Sequence, residues 1–235
     1  MSKALYMDDA YLQEFEATIT SIKDGKYVVL DQTAFYPQSG GVACDTGTLK
    51  KDNEEYPVVF VGKFDGEISH EVSKPGLKEG DKVKATINWE RRYKLMRLHT
   101  TAHVLASIFH NKAKAMITGG NIEPDKARMD FSLEEFDRNK VDEYVALANT
   151  LIERGAETKS YYMEREEALK IPDMVKLAEK MPPAVDMLRI VEIANIDRQA
   201  DGGPHVKNIK EIGKIELIGI ENKGKSNRRL YFMVR

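Results

Sequence analysis

Phe15-Glu-Ala-Thr-Ile-Thr-Ser-Ile22 alternates apolar and polar residues, the period-two signature of a strand with one buried face. Asp24-Gly25 follows as a hairpin turn, and Tyr27-Val-Val-Leu30 returns from it. Gly47-Thr-Leu49, Tyr56–Val61, Ile68–Val72 and Lys82–Asn88 read as further strands, separated by short turns such as Phe64-Asp65-Gly66 and Lys78-Glu79-Gly80-Asp81. Many short strands at such spacing predict a small antiparallel barrel. The period changes at Trp89. From Arg91 to about Ala115, Leu95, Leu98, Ala102, Leu105 and Phe109 recur at helical spacing without Pro or Gly. Ser132-Leu-Glu-Glu135 has the form of a capping box opening a second helix that ends near Arg154 and Gly155. Glu166–Lys180 reads as partly helical, interrupted at Ile171-Pro172 and stopped by Met181-Pro182-Pro183. Leu188–Ile193 reads as a strand, and Ile215–Glu221 with Arg228–Arg235 as a terminal hairpin around the basic loop Asn222–Asn227. The pattern predicts an α+β chain. A small antiparallel β-barrel occupies residues 1–89, and an α+β domain with an antiparallel sheet and helices occupies residues 90–235.

Composition narrows the class. Of 235 residues, 42% are hydrophobic and 31% charged, a globular profile with enough apolar residues for a sizeable core. Thirty-six basic against 38 acidic residues exclude a uniformly basic nucleic-acid binder but leave room for a local basic patch. No apolar run approaches the ~18–20 residues of a membrane helix. The first residues turn acidic at Asp8-Asp9 before any apolar stretch, unlike a secretory signal. The single cysteine, Cys44, excludes an intrachain disulfide and a multi-thiolate metal site and suits a reducing cytoplasm.

Five histidines are a small stock, and three of them fall in two short motifs. His70 lies on a predicted strand and reads as a surface or barrel-lining residue. His99-Thr-Thr-Ala-His103 lies in the first helix, where a spacing of four places both rings on one face. Such a pair can chelate one metal ion. Ala200-Asp201-Gly202-Gly203-Pro204-His205 is a glycine-rich turn in which Asp201 and His205 can add an oxygen and a nitrogen ligand, with the glycines letting the backbone curl round an ion. His99, His103, Asp201 and His205 together form a plausible set for one Zn2+. A zincin peptidase is excluded, because Thr100 stands where that motif requires its glutamate base.

With these residues in view the sequence resembles the editing domain of alanyl-tRNA synthetase and, more closely, the free-standing alanyl-tRNA editing proteins of the AlaX family. Trp89-Glu-Arg-Arg92 with Met96–Leu105 resembles the first editing motif. Asp201–Asn208 with Glu211-Ile-Gly213 resembles the second, and Asn222–Lys225 with Asn227-Arg-Arg229 the closing hairpin. Asp31–Gly41 with Asp45-Thr-Gly47 resembles the glycine-rich motif of the family's first domain. An N-terminal domain ahead of the editing motifs points to the medium-sized AlaX-M type. Two departures stand out. The family usually has Cys before the paired glycines, where this chain has Asp201, so that Asp201 either binds the metal or leaves three histidines and water to do so. Val42 stands where the family often has Gln.

The resemblance implies a hydrolase that removes serine, or glycine, from mischarged alanine tRNA. His99, His103 and His205 would carry catalysis through zinc, which either activates water, polarises the ester or orients the substrate. Thr118, Gly120 and Asn121, in a segment that also fits a plain turn, and Gln38, Ser39, Gly40 and Gly41, in a loop that also fits a barrel turn, are candidates to read the amino acid. Arg91, Arg92, Arg97, Lys207, Lys223, Lys225, Arg228 and Arg229 cluster around the motifs as candidates for phosphate contacts with tRNA. No partner membrane is expected. The competing readings are a non-catalytic tRNA-binding module with a structural zinc and a metal-dependent hydrolase of another ester.

Overall fold

A computed structural model of the chain describes residues 2–133, 137–171, 174, 176 and 184–235. It divides into two compact units, Met1–Leu95 and Met96–Arg235. Strands of the first unit are β1 (Lys3–Ala4), β2 (Glu14–Lys23), β3 (Tyr27–Leu30), β4 (Gln32–Thr33), β5 (Gly47–Lys51), β6 (Glu54–Phe64), β7 (Glu67–Val72) and β8 (Lys82–Ile87). Six of them close into an antiparallel barrel in the order β2-β3-β7-β6-β5-β8. Alternation drives closure: β8 buries Val83, Ala85 and Ile87 and exposes Lys82, Lys84 and Thr86, while β2 buries Phe15, Ala17 and Ile19. Gly47 has no substitute where β5 meets β8, since a Cβ there would lie 2.2 Å from the Thr86 carbonyl oxygen.

Polar residues are sealed inside this unit as well, His70 and Arg92 among them. His70, read from sequence as a surface or barrel-lining residue, is fully buried, with Nδ1 3.0 Å from the Val28 carbonyl and Nε2 2.8 Å from Thr33 Oγ1. Arg92, a candidate RNA contact, is also fully buried. Its Nε donates to both Asp45 carboxylate oxygens at 3.0 Å, Nη1 to the Ala10 carbonyl at 2.8 Å, and Nη2 to Asp45 and the Ala34 carbonyl. Sealed from solvent and bonded to Asp45 and two carbonyls, Arg92 is a structural clamp and not a phosphate contact.

The helix predicted from Arg91 runs as α1 (Trp89–Ala113). The remaining elements are β9 (Ile117–Ile122), β10 (Ala127–Ser132), α2 (Arg138–Arg154), β11 (Thr158–Glu164), α3 (Arg165–Lys170), β12 (Met187–Ile193), β13 (Asp197–Ala200), β14 (Ile215–Asn222) and β15 (Asn227–Val234). They build an antiparallel four-stranded sheet, β14-β15-β10-β9, and an antiparallel three-stranded sheet, β11-β12-β13. The architecture is the predicted α+β one, a barrel followed by antiparallel sheets and helices. Phe109 of α1 stacks on Phe131 of β10 at 4.4 Å and meets Tyr144 of α2 edge-on at 5.1 Å, tying both helices to the larger sheet. From Leu98 to Phe109 every residue of α1 is buried, not only one stripe, which places His99 and His103 in the interior.

The second helix starts later than its sequence suggested. Asp137 caps it, accepting from the Asn139 N–H at 2.9 Å, while Ser132 ends β10 and accepts from the Met116 N–H. The expected cap partners Glu134 and Glu135 lie outside the described residues, as do Pro172 and residues 177–183 of the partly helical segment. The Thr118–Asn121 turn is a strand instead, paired along β10. Among the described residues no helix is long and apolar enough to cross a membrane.

Candidate metal centre

The two histidine motifs, about a hundred residues apart in sequence, meet inside the second unit. His99 and His103 project from adjacent turns of α1, and the turn after β13 brings Asp201 and His205 against them. One ligand atom from each of the four residues lies within 4.8 Å of all the others. The His99 and His205 rings stack at 4.2 Å, and His103 stands edge-on to both, at 5.2 and 4.6 Å. Asp201 faces both stacked rings, Oδ1 lying 3.6 Å from His99 Nε2 and Oδ2 3.0 Å from His205 Nε2.

The turn is shaped by contact as much as by backbone freedom. A Cβ on Gly203 would lie 2.4 Å from His99 Cε1, so only glycine lets the backbone touch that ring. Gly202 has open space around its α-carbon. The buried Arg189 of β12 donates to the carbonyls of Asp201 and Gly203 at 2.9 and 3.0 Å, and the Gly203 N–H donates to Asp201 Oδ2 at 2.7 Å.

Around the four ligands sits a set of residues that sequence reading missed. His103 Nδ1 lies 2.9 Å from Asp197 Oδ2, and Asp197 also accepts from Lys176 Nζ at 2.7 Å and Gln199 Nε2 at 2.8 Å. A carboxylate only accepts, so His103 carries a proton on Nδ1, and although burial works against charging the ring, the bond to Asp197 and its charge outweigh it and raise the ring's pKa. His99 Nδ1 faces the Pro204 carbonyl at 3.3 Å, also an acceptor, and so carries its proton there and presents a bare Nε2. His205 Nδ1 lies 3.1 Å from Thr100 Oγ1. Outer hydrogen bonds of this kind orient metal-binding imidazoles and fix their tautomers. The alternation of Asp197, Gln199 and Asp201 along one strand face was the available sequence signal.

Electrostatics agree with a ligand set. Burial pushes His99 down to about 4 and, with the neighbouring His99, drives His205 well below the usual histidine range. Both rings are therefore neutral, with lone pairs free for a cation. Burial works against ionisation of Asp201, but the close His99 and His205 rings outweigh it and hold the carboxyl well below the usual carboxylate range. Asp197 likewise resists burial through its bond to His103 and stays ionised, at about 2. Three imidazole nitrogens and a carboxylate suit a borderline cation such as Zn2+.

The other sequence candidates make contacts of their own within each unit. Gln38, Ser39, Gly40 and Gly41 form an exposed hairpin tip of the first unit. Ser39 and Val42 exchange backbone hydrogen bonds there, with both glycines at positive φ. Thr118 of β9 donates to Asn227 Oδ1 at 2.7 Å, and Asn121 reaches Glu123 at 3.3 Å. Lys207, Lys223 and Lys225 are exposed, and Lys223 pairs with Glu221 at 3.2 Å. Arg91 donates to the Cys44 carbonyl, Arg97 to those of Ile212 and Arg235, and Arg229 to both Asp130 oxygens. Arg228 is buried and braces the closing hairpin through Asn222, Gly224 and Asn227. Cys44 is buried, which pushes its thiol up and makes it a poor nucleophile.

Comparison with known proteins agrees with these motifs. Residues 188–231 match the threonyl and alanyl tRNA synthetase second additional domain, and residues 4–91 match the class II (A) tRNA synthetases. The chain is 47% identical over 241 residues to the alanyl-tRNA editing protein AlaX-M of Methanosarcina mazei, covering 99% of this chain and 96% of that one. The AlaX-M of Saccharolobus solfataricus is also 47% identical, over 238 residues and the full length of both. The alanine–tRNA ligase of Thermofilum pendens is 34% identical over 223 residues, which span 94% of this chain but only 24% of the ligase. End-to-end similarity to free-standing proteins, against partial coverage of a synthetase, places this chain in the AlaX-M family of alanyl-tRNA editing proteins.

Proposed function

We propose that the protein edits alanine tRNA in trans, hydrolysing the ester that joins serine, or glycine, to the terminal adenosine of tRNA(Ala). The site lies in residues 90–235, with one Zn2+ held by His99, His103, Asp201 and His205. The observation that carries this reading is the convergence of three imidazoles and a carboxylate from the two editing motifs. The chain's relatives are named for alanyl-tRNA editing, which supports the substrate class. When bound, zinc supplies a Lewis acid for the ester carbonyl or for water. The protein's own part is to hold the imidazoles in place, through Asp197 and the Pro204 carbonyl, so that they converge on one point.

The need for a second hydrolytic site is physical. A pocket that accepts alanine cannot exclude glycine by size and rejects serine weakly, since one small group is worth only ~1–3 kcal/mol. Thr118, Gly120 and Asn121 of β9, in the same unit as the metal ligands, are proposed to read the amino acid. Phosphate contacts are assigned chiefly to the exposed Lys207, Lys223 and Lys225, supported by Arg91, Arg97 and Arg229.

Four protein ligands are also the number a structural zinc site uses. One experiment separates the two readings: incubation of the purified protein with serine-, glycine- and alanine-charged tRNA(Ala), with and without chelator. Editing predicts release of serine or glycine but not alanine, lost with chelator. Deacylation of none of the three above the buffer rate overturns it.

A further inference from the structure

Thr100 entered the sequence argument only as the residue that rules out a zincin. The geometry points to a specific role: we infer that Thr100 is a positioning residue that sets the tautomer of His205 and so directs its Nε2 to the metal. This inference rests on the metal-site reading above.

Thr100 Oγ1 has three close partners. It lies 2.8 Å from the Met96 carbonyl one turn back, 3.2 Å from the Val206 backbone nitrogen and 3.1 Å from His205 Nδ1. A hydroxyl owns one proton and two lone pairs. The Met96 carbonyl only accepts, so it takes the proton. Val206 N–H only donates, so it uses one lone pair. What remains for His205 is the second lone pair, and Nδ1 must therefore carry a hydrogen. Neutral imidazole has one N–H, which leaves Nε2 bare. That bare nitrogen lies 3.0 Å from Asp201 Oδ2, itself an acceptor. Two lone pairs held face to face at this distance call for a cation between them. Thr100 is buried completely, so water does not compete for any of these contacts. The same hydroxyl also ties α1 to the turn through Val206, the residue after the ligand, and so sets the ring's position as well as its proton.

The test uses Zn2+ and the intact chain. Thr100→Val keeps the shape but deletes the lone pairs; Thr100→Ser keeps the hydroxyl. Zinc affinity, measured by competition with a chromophoric chelator, should fall about ten- to hundredfold in Thr100→Val and return in Thr100→Ser, as for other outer-shell partners of zinc ligands. In the metal-free protein, the 15N resonances of His205 should report an Nδ1–H tautomer for wild type and Thr100→Ser and an Nε2–H tautomer for Thr100→Val, where Asp201 is the remaining acceptor. Wild-type zinc affinity in Thr100→Val with an unchanged His205 tautomer would overturn the assignment. If Thr100→Val does not fold, the wild-type spectrum decides: an Nε2–H tautomer in the metal-free protein overturns it. A wild-type protein that takes up no zinc instead sinks the metal reading, while the tautomer still decides the role of Thr100.

Discussion

Both units of this chain bury histidine beside threonine, and they do so with opposite polarity. In the barrel, His70 Nδ1 faces the Val28 carbonyl and must donate to it, so Nε2 accepts from Thr33. Both ring nitrogens are used up, and the ring serves only as a buried polar brace packed edge-on against Phe35. In the second unit, His99, His103 and His205 have their Nδ1 atoms held by the Pro204 carbonyl, Asp197 and Thr100, while the opposite nitrogens gather near one carboxylate. Burial alone therefore does not mark a functional histidine. The distinction lies in which nitrogen the fold satisfies and whether several unsatisfied ones share a point.

The contrast is sharpest under direct substitution. His103→Ala should abolish stoichiometric zinc, with a loss larger than the ~100-fold that an outer-shell change costs, and deacylation should disappear with it. His70→Gln should retain both zinc content and turnover. Elemental analysis and charged-tRNA assays on the two variants would break the comparison if His70→Gln lost zinc or His103→Ala kept it.

The pH response should differ in the same way. Burial lowers His70 from 6.5 to about 4, against the opposing pull of the Val28 carbonyl. The folded state thus binds fewer protons than the unfolded state between these values, so stability rises with pH. His70's contribution is complete above 6.5 and is lost as pH falls towards 4. Between pH 8 and pH 5 the loss is about 2 kcal/mol. Urea unfolding of zinc-free wild type and His70→Gln should show a steeper decline for wild type in this window; parallel declines would refute the assignment.

A third test concerns support of the ring, not the ring itself. Asp197→Asn weakens the acceptor for His103 Nδ1 and removes the charge that Lys176 neutralises. Zinc affinity should drop about ten- to hundredfold without loss of fold. An unchanged affinity would reduce Asp197 to a brace of the His70 kind. The smallest expected effect lies at the surface. Lys225→Ala should weaken tRNA binding modestly and reduce the slope of log affinity against log salt by about one, with zinc content unaffected.

Much of this was legible in the residues. Alternation in Phe15–Ile22 and Lys82–Asn88 specified barrel strands, because a period of two on a chain with short turns has few other ways to bury one face. The spacing of His99 and His103 specified two imidazoles on one side of a helix, because four residues are close to one turn. The motifs in combination identified the family. Less was legible where local signal is weak: β11 is largely exposed and shows no apolar alternation, and the Thr118–Asn121 glycines suggested a turn where pairing with β10 makes a strand.

Tertiary structure alone decided the rest, because the relevant partners are far apart in the chain. Arg92 looks like any basic residue of a helix start until the fold sets it against Asp45, 47 residues away. Asp197 becomes the partner of His103 across 94 residues, and Thr100 the partner of His205 across 105. Composition and spacing determined which atoms were available to bind a metal. Only packing decided which nitrogen of each ring was left to do it, since a hydrogen bond reaches about 3 Å and only the folded chain brings its partners that close.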